Sequence, residues 1–582
     1  MKTFHFIAFL VSFFYIQCDK LMSQTPNWIW AKSIGGSGNE LGNFIAIDKA
    51  GDGSVYVVGP YQNTVDFDPG DGVSSLVSAG YYDFFILKLD KDGNFIWVKG
   101  IGGNLGSDVA RSIVIDPSGN GDLFITGDFI GTVDFDPGMG ISNLSSAGSN
   151  DNFVLKLDKD GNFLWVRAIR GTSNAGSNFI TIDPAGSGDL YICGLFAGTV
   201  DFDPGAGVVQ QISNGSFDLF ILKLNRTGDF VWVKTAGGSN FDVAYQIAMD
   251  TINGGHVYIT GRFRLAVDFD PGPGTHVITA LGVDDIFILK LDQNGQFIWA
   301  KDLGGPGFGE GNALVIDQQV DGGLYLAGRI GGGSVDLDPG TGVHNVTAVG
   351  TTDMVICKFD KDGNFKWAKQ MGGAGSETNA NSISKHGAYL YISGFFANTI
   401  YFDNNNALQL KSAGSSDVFI LKLEDSGNFN WVKEMGGSEY DIGLSMALDA
   451  EGKIHITGDY FSRSIICGND ELVNKDSTFN TVDVFIAKLD NIITSLDQDQ
   501  YKHKISVYPN PFTDQLQIQF SEIPLDILQV DILNIYKEVV YLKKNFTESL
   551  ELNLETNLLV PGIYFVRIQS KHFQEVIKIV KL

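Results

Sequence analysis

Trp30, Trp97, Trp165, Trp232, Trp299, Trp367 and Trp431 follow one another at intervals of 67, 68, 67, 67, 68 and 64 residues. No other property restricts the fold so tightly. A chain that writes one phrase seven times builds one supersecondary unit seven times, and each unit buries its apolar face against the next. Each Trp lies in a phrase such as GNFIWVKGIGG, which begins at Gly93. Three further phrases accompany it: DFFILKLD at Asp83, LFITGDF at Leu123 and ARSIVID at Ala110, with counterparts along the chain. All four are short, rich in Ile, Val, Phe and Tyr, and bounded by Gly and Asp, which is the signature of strands. None carries sustained helical periodicity. DFFILKLD is apolar on both alternations, as a strand covered on both faces must be. DKDGNF, between the third and fourth strands, reads as a hairpin turn; its early Gly and the lack of a closing Glu argue against a calcium loop.

Four strands repeated seven times predict an all-β, seven-bladed β-propeller of four-stranded blades over residues 24–490. The Trp strand comes first, in NWIWAKSIGG at Asn27, before any complete unit. The last unit stops at DVFIAKLD without a Trp strand of its own. Pairing residues 28–34 with 483–490 would close the ring and remove both exposed edges. In Asp83, Lys88, Asp90, Gly93 and Trp97 the repeat resembles the β-propeller repeats of secreted bacterial proteins (SBBP-type repeats). That resemblance implies the fold and leaves the chemistry open, because propellers host enzymes, lectins and scaffolds alike.

The termini point to export. Residues 1–23, with Lys2 ahead of FHFIAFLVSFFYI, read as a signal peptide, and no other stretch is long and apolar enough for a span. Residues 491–504 are a polar linker, and 505–582 alternate like a small β-sandwich. There VYPNP at Val507, PGIYFVRI at Pro561 and the final KIVKL resemble the type A C-terminal sorting domain of the type IX secretion system. NIYKEVV at Asn534 departs from that pattern, where a Gly is usual. The resemblance implies the secretion machinery as a partner and a Gram-negative cell surface, or release from it, as the destination. Cys193, Cys357 and Cys467 fall in different repeats and form no disulfide framework or metal spacing, so they are expected to pack as small apolar side chains.

The net charge is −27; residues 1–23 sum to +1 and 501–582 to 0, which leaves −28 on 24–500. Such a field repels phosphate backbones and anionic lipid, so nucleic acid and acidic membranes are poor partners, and cations or neutral glycans fit it better. A glycan or protein ligand on one propeller face, with the chain a monomer, is the expectation.

Candidate ligand residues come from VDFDPG at Val65, Val133, Val200 and Val267, and VDLDPG at Val335. Val65 and Phe67 point one way along an extended strand and Asp66 and Asp68 the other, before Pro69-Gly70 turns the chain. The apolar pair is expected to anchor the hairpin to its own blade. Two roles fit the aspartates Asp66, Asp68, Asp134, Asp136, Asp201, Asp203, Asp268, Asp270, Asp336 and Asp338. They accept hydrogen bonds from turn N–H groups, or they bind Ca²⁺ with nearby carbonyls. His276 and His344 are equivalent in adjacent repeats; they are exposed loop residues or share a metal. The repeated Lys88, Lys156, Lys223, Lys290, Lys358, Lys422 and Lys488 read as structural, in an ion pair or packed along the Trp. No catalytic constellation breaks the repeat. A binding or scaffold (adhesin-like) module is therefore favoured over a carbohydrate-active enzyme, such as a glycoside hydrolase or lyase.

Overall fold

The computed structural model describes residues 26–184, 186–319, 322–402, 408–476, 478, 480–491, 506–519, 528–534, 539–546, 551–556, 559–569 and 574–582. The proposed signal peptide, and the proposed linker apart from Asn491, lie outside them. The chain divides into two compact units, with the division after residue 493.

The first unit is all-β. Its opening sheet is antiparallel in the order Phe44–Ile47, Val55–Tyr61, Asp83–Leu89, Phe95–Ile101. The pattern returns over residues 109–171, 175–236, 243–303, 308–371 and 377–435, giving sheets two to six. The apolar runs Val55–Tyr61 and Asp83–Leu89 are buried along their whole length, as central strands covered on both faces should be. Sheet seven takes Asp441–Leu448, Ile454–Tyr460 and Asp483–Leu489 from the end of the unit and Trp28–Gly36 from its start. The register runs from Trp28 opposite Leu489 to Ile34 opposite Val484, the pairing expected from the spare first strand.

The core consists of seams rather than a single centre. Tyr56, Val58 and Phe84 of sheet one pack on Ile113, Leu123 and Phe153 of sheet two, and comparable clusters join each sheet to the next. The last of them joins sheet seven to sheet one, through Val484, Ile486, Trp30 and Ile34 against Ile45, Val57 and Phe85. Cys193, Cys357 and Cys467 are unpaired and buried in three different seams, where burial pushes their thiols up.

The repeated glycines also serve the seams. Gly93 has φ +81°, and a Cβ there would lie 2.9 Å from the Trp30 ring of sheet seven. Gly228 meets Trp165 in the same way. The turn therefore needs Gly both for its backbone and for close approach to the neighbouring sheet.

The second unit has a three-stranded sheet (Ser506–Tyr508, Gln515–Gln519, Glu551–Glu555) and a four-stranded one (Val539–Phe546, Leu528–Leu533, Gly562–Gln569, Gln574–Lys581). Leu516, Ile518 and Leu554 of the first pack with Val530, Ile532, Val566 and Ile568 of the second. The three sequence phrases meet here. Asn510 of VYPNP donates to Lys578 O (3.0 Å) and accepts from Val580 N (2.9 Å), and PGIYFVRI pairs with the final strand from Gly562 opposite Lys581. Lys581 is buried and donates to Thr513 O and Thr556 O at 2.6 and 2.7 Å.

Candidate functional site

The VDFDPG phrase forms a short hairpin between the second and third strands of its sheet. In sheet one it is Thr64–Asp66 paired with Ser75–Val77. Asp66 Oδ1 accepts from Asp68 N (3.2 Å) and Ser74 N (2.8 Å), and Asp68 Oδ1 from Gly70 N (2.8 Å). The same three bonds recur at Asp134 and Asp136, Asp201 and Asp203, Asp268 and Asp270, and Asp336 and Asp338. Every copy thus works as an Asx turn, one carboxylate oxygen taken by the backbone. A second glycine belongs to the motif, because a Cβ on Gly72 would lie 2.1 Å from Asp68 Oδ2. Gly140, Gly207, Gly274 and Gly342 are confined alike by their aspartates. Among the described residues, no three Asp, Glu, His or Cys groups converge as ligands for a metal ion. These bonds engage Oδ1 of each carboxylate and not Oδ2.

Val65 and Phe67 are fully buried, but not in their own sheet alone. They lie in the seam with sheet seven, and Val65 and Asp66 pair with Gly36 and Gly35 of Trp28–Gly36. The equivalents Val133, Val200, Asp268 and Asp336 reach Gly103, Gly171, Gly237 and Gly304 of the preceding sheet. The hairpin is a clasp between sheets, which the alternation of a single strand could not indicate.

His276 and His344 each pack on a phenylalanine, Phe297 and Phe365, with ring centroids 5.0 Å apart. The repeated lysines lie opposite the Trp and over the ring of a second-strand Tyr or Phe. Lys88 Nζ is 5.1 Å from the Tyr56 ring and pairs in register with Trp97. Its ammonium donates to Lys159 O of the next sheet (3.1 Å), whereas Lys156 and Lys223 pair with Asp122 and Asp189 at 2.8 and 2.9 Å. Lys and Trp are therefore seam elements. In sheet seven the Tyr is replaced by His455, whose Nε2 lies 3.3 Å from Asp449 Oδ2.

The first strands of all seven sheets meet around a cavity of about 370 Å³. A second, of about 490 Å³, shares Phe179, Gln246 and Ile383 with it. In six of the first strands the register to the second strand skips one residue: Arg111, Asn178, Tyr245, Asn312, Asn381 or Leu444. Such a bulge re-aims a side chain, here one per sheet into the cavity, with Asn43 as the counterpart in sheet one. These residues stand at one place in the repeat, five before the Asp that closes the strand (Asp48, Asp116, Asp183, Asp250, Asp317, Asp449). That offset is the signal that would have found them.

Bulge residues and their neighbours join the sheets around the cavity. Asn43, Asn178, Asn312 and Asn381 donate from Nδ2 to the carbonyls of Ala110, Ala244, Ala380 and Gly443 in the next sheet, at 2.8–3.1 Å. Ser112 Oγ receives Ile180 N (3.4 Å), Gln246 Oε1 receives Leu314 N (2.7 Å), and Ser445 Oγ receives Ile45 N (3.3 Å). All seven seams, including seven to one, carry such a link.

Residues 506–582 match the family model described as secretion system C-terminal sorting domain. The chain is 21% identical over 553 residues to the WD repeat-containing protein L264 of Acanthamoeba polyphaga mimivirus, a match covering 80% of this chain and 39% of that one. It is 24% identical over 252 residues to the regulatory protein FlaEY of Caulobacter vibrioides, covering 41% and 25%. The matches thus span well under half of either relative. The extracellular domain of BT4673 from B. thetaiotaomicron superposes with a TM-score of 0.23 at 10% identity, over 93% of this chain and 68% of that one, too loosely to bear on the fold. The C-terminal unit is a secretion sorting domain, and the chain carries the mark of an exported surface or secreted protein.

Proposed function

We propose that residues 24–490 form a seven-bladed β-propeller closed by its N-terminal strand. It is delivered by the type IX route to the surface of a Gram-negative bacterium, where it serves as a binding module. The seam-by-seam packing, the Trp28–Gly36 pairing and the seven inner links support the ring. The similarity to a WD repeat-containing protein supports a unit built of repeats.

The observation that carries the reading is the cavity at the centre of the first strands, lined by one re-aimed side chain per sheet. Binding is preferred to glycoside hydrolysis, which takes two carboxylates about 5–10 Å apart. Asp317 lines the larger cavity and is engaged by Lys385 at 3.4 Å, and the smaller one has no carboxylate among its lining residues. A glycan array of the full chain, followed by a reducing-sugar assay on each hit, tests the reading. Retention of a saccharide without turnover is expected, and release of reducing ends would establish an enzyme instead.

A further inference from the structure

The six bulge positions and their counterpart Asn43 are not used alike. Where Asn stands at the bulge, its amide makes the seam link. In sheets two, four and seven the link is made one residue later, by Ser112, Gln246 and Ser445. Arg111, Tyr245 and Leu444 are thereby released from that duty, and all three line the cavity of about 370 Å³. That volume lies within the range of small-molecule sites.

Arg111 is prepared for a ligand. Its Nε donates to Asp128 Oδ2 at 2.8 Å, and the Asp128 side chain is 5% exposed, whereas that of Arg111 is 45% exposed. The Nε edge of the guanidinium is fixed, the side chain stays half-exposed, and Arg111 lines the cavity. Lys49 lines the same cavity as a second cation. The chain carries 68 acidic residues, yet none is among the residues lining this cavity. Of the side chains that line the cavity two are cationic and none is a carboxylate, with Asp128 behind Arg111 holding its Nε edge, and a lining of that sign favours an anion. The remaining lining narrows the class. Phe179 and Tyr245 offer aromatic faces, and Asn43, Asn178 and Asn312 offer amide oxygens, their Nδ2 groups being occupied by the seam. Amide oxygens accept from hydroxyls, and a planar guanidinium matches a carboxylate.

We infer that this cavity binds a single carboxylate-bearing sugar, a uronate unit, with its carboxylate on Arg111 and its hydroxyls on the asparagine amides. The inference rests on the reading of this unit as a binding module and gives that module its site and ligand class.

Isothermal titration of the full chain with galacturonate, galactose and acetate tests it. Galacturonate is expected to bind, with galactose and acetate each at least about tenfold weaker. Arg111→Gln should weaken galacturonate by roughly ten- to a hundredfold, and Arg111→Lys should restore part of the loss. Because Arg111→Gln leaves Asp128 buried without its partner, Arg111→Gln/Asp128→Asn is measured beside it and should show the same loss in a folded protein. Equal affinity for galactose and galacturonate, or parental affinity in the folded double variant, overturns the inference. A glycan array run in parallel separates it from the wider reading. Array binding that Arg111→Gln does not change removes the uronate site and keeps the binding module. Silence toward every glycan and toward galacturonate removes both.

Discussion

At the scale of single residues, the seams place carboxylates where water does not reach. Burial pushes Asp108, Asp242, Asp285 and Asp441 up to about 6, and Asp459 and Asp483 up to about 7. Glu40, buried beside Asp483, is also raised well above its usual range. A raised carboxylate holds its proton in the folded chain at a pH where the unfolded chain has released it. The folded state therefore binds more protons between about pH 4 and pH 7, and stability falls as pH rises through that window. Asp360, lowered to about 2 mainly by its bonds to Asn364 and Lys366 against a burial cost, and Asp449, also lowered, change stability only below it. Chemical denaturation should give a higher unfolding midpoint at pH 5.5 than at pH 8. Asp459→Asn, which removes one buried charge, should raise stability at pH 8 and shrink the difference. A midpoint independent of pH across this range would contradict the assignment.

At the scale of elements, the hairpins and turns are latches between sheets. Asp66→Ala leaves the N–H groups of Asp68 and Ser74 without their acceptor and should cost about 1–3 kcal/mol in urea unfolding. If the aspartates act only through the backbone, millimolar Ca²⁺ and chelator should give the same melting temperature. A rise with Ca²⁺ that Asp66→Asn/Asp68→Asn abolishes would assign them a metal instead. Gly93→Ala forces φ +81° on a residue with a Cβ and drives that atom against Trp30. A loss of at least about 1–2 kcal/mol is expected. The same exchange at Gly119, with φ +90° and no atom within 4 Å, isolates the backbone part of that cost.

At the scale of the whole molecule, the first and last strands of the repeat unit share one sheet. Deleting residues 24–34 removes Trp30 and Ile34 from the seam between sheets seven and one and bares the edge of Asp483–Leu489. Loss of the cooperative thermal transition, with aggregation through that edge, is the expected result. Truncation after Leu496 leaves this unit entire and removes the sorting domain. The truncated chain should keep its melting profile and fail to reach the cell surface, which protease accessibility on intact cells would report.

The intervals of the seven tryptophans, the apolar runs and the spare first strand determined the four long strands of each repeat and the partner of Trp28–Gly36, because periodicity and an unmatched strand at either end are written directly in residue order. The two short strands that each VDFDPG hairpin adds were not counted among them. The three phrases of residues 506–582 determined the sorting domain for the same reason, each being a contiguous run. The aspartates of VDFDPG were legible as turn formers, since an Asx turn needs only its own neighbours. What spans a seam was not legible. That Val65 clasps the preceding sheet, that Gly93 lies on Trp30, and that Ser445 reaches Ile45 across 400 residues all depend on which faces meet once the sheets are packed. The cavity lining belongs to the same class. Arg111 reads along the chain as one cation in an exposed alternation, and only the bulge and the hydrogen bond that Ser112 Oγ accepts from Ile180 N of the next sheet release it into the cavity among the first strands.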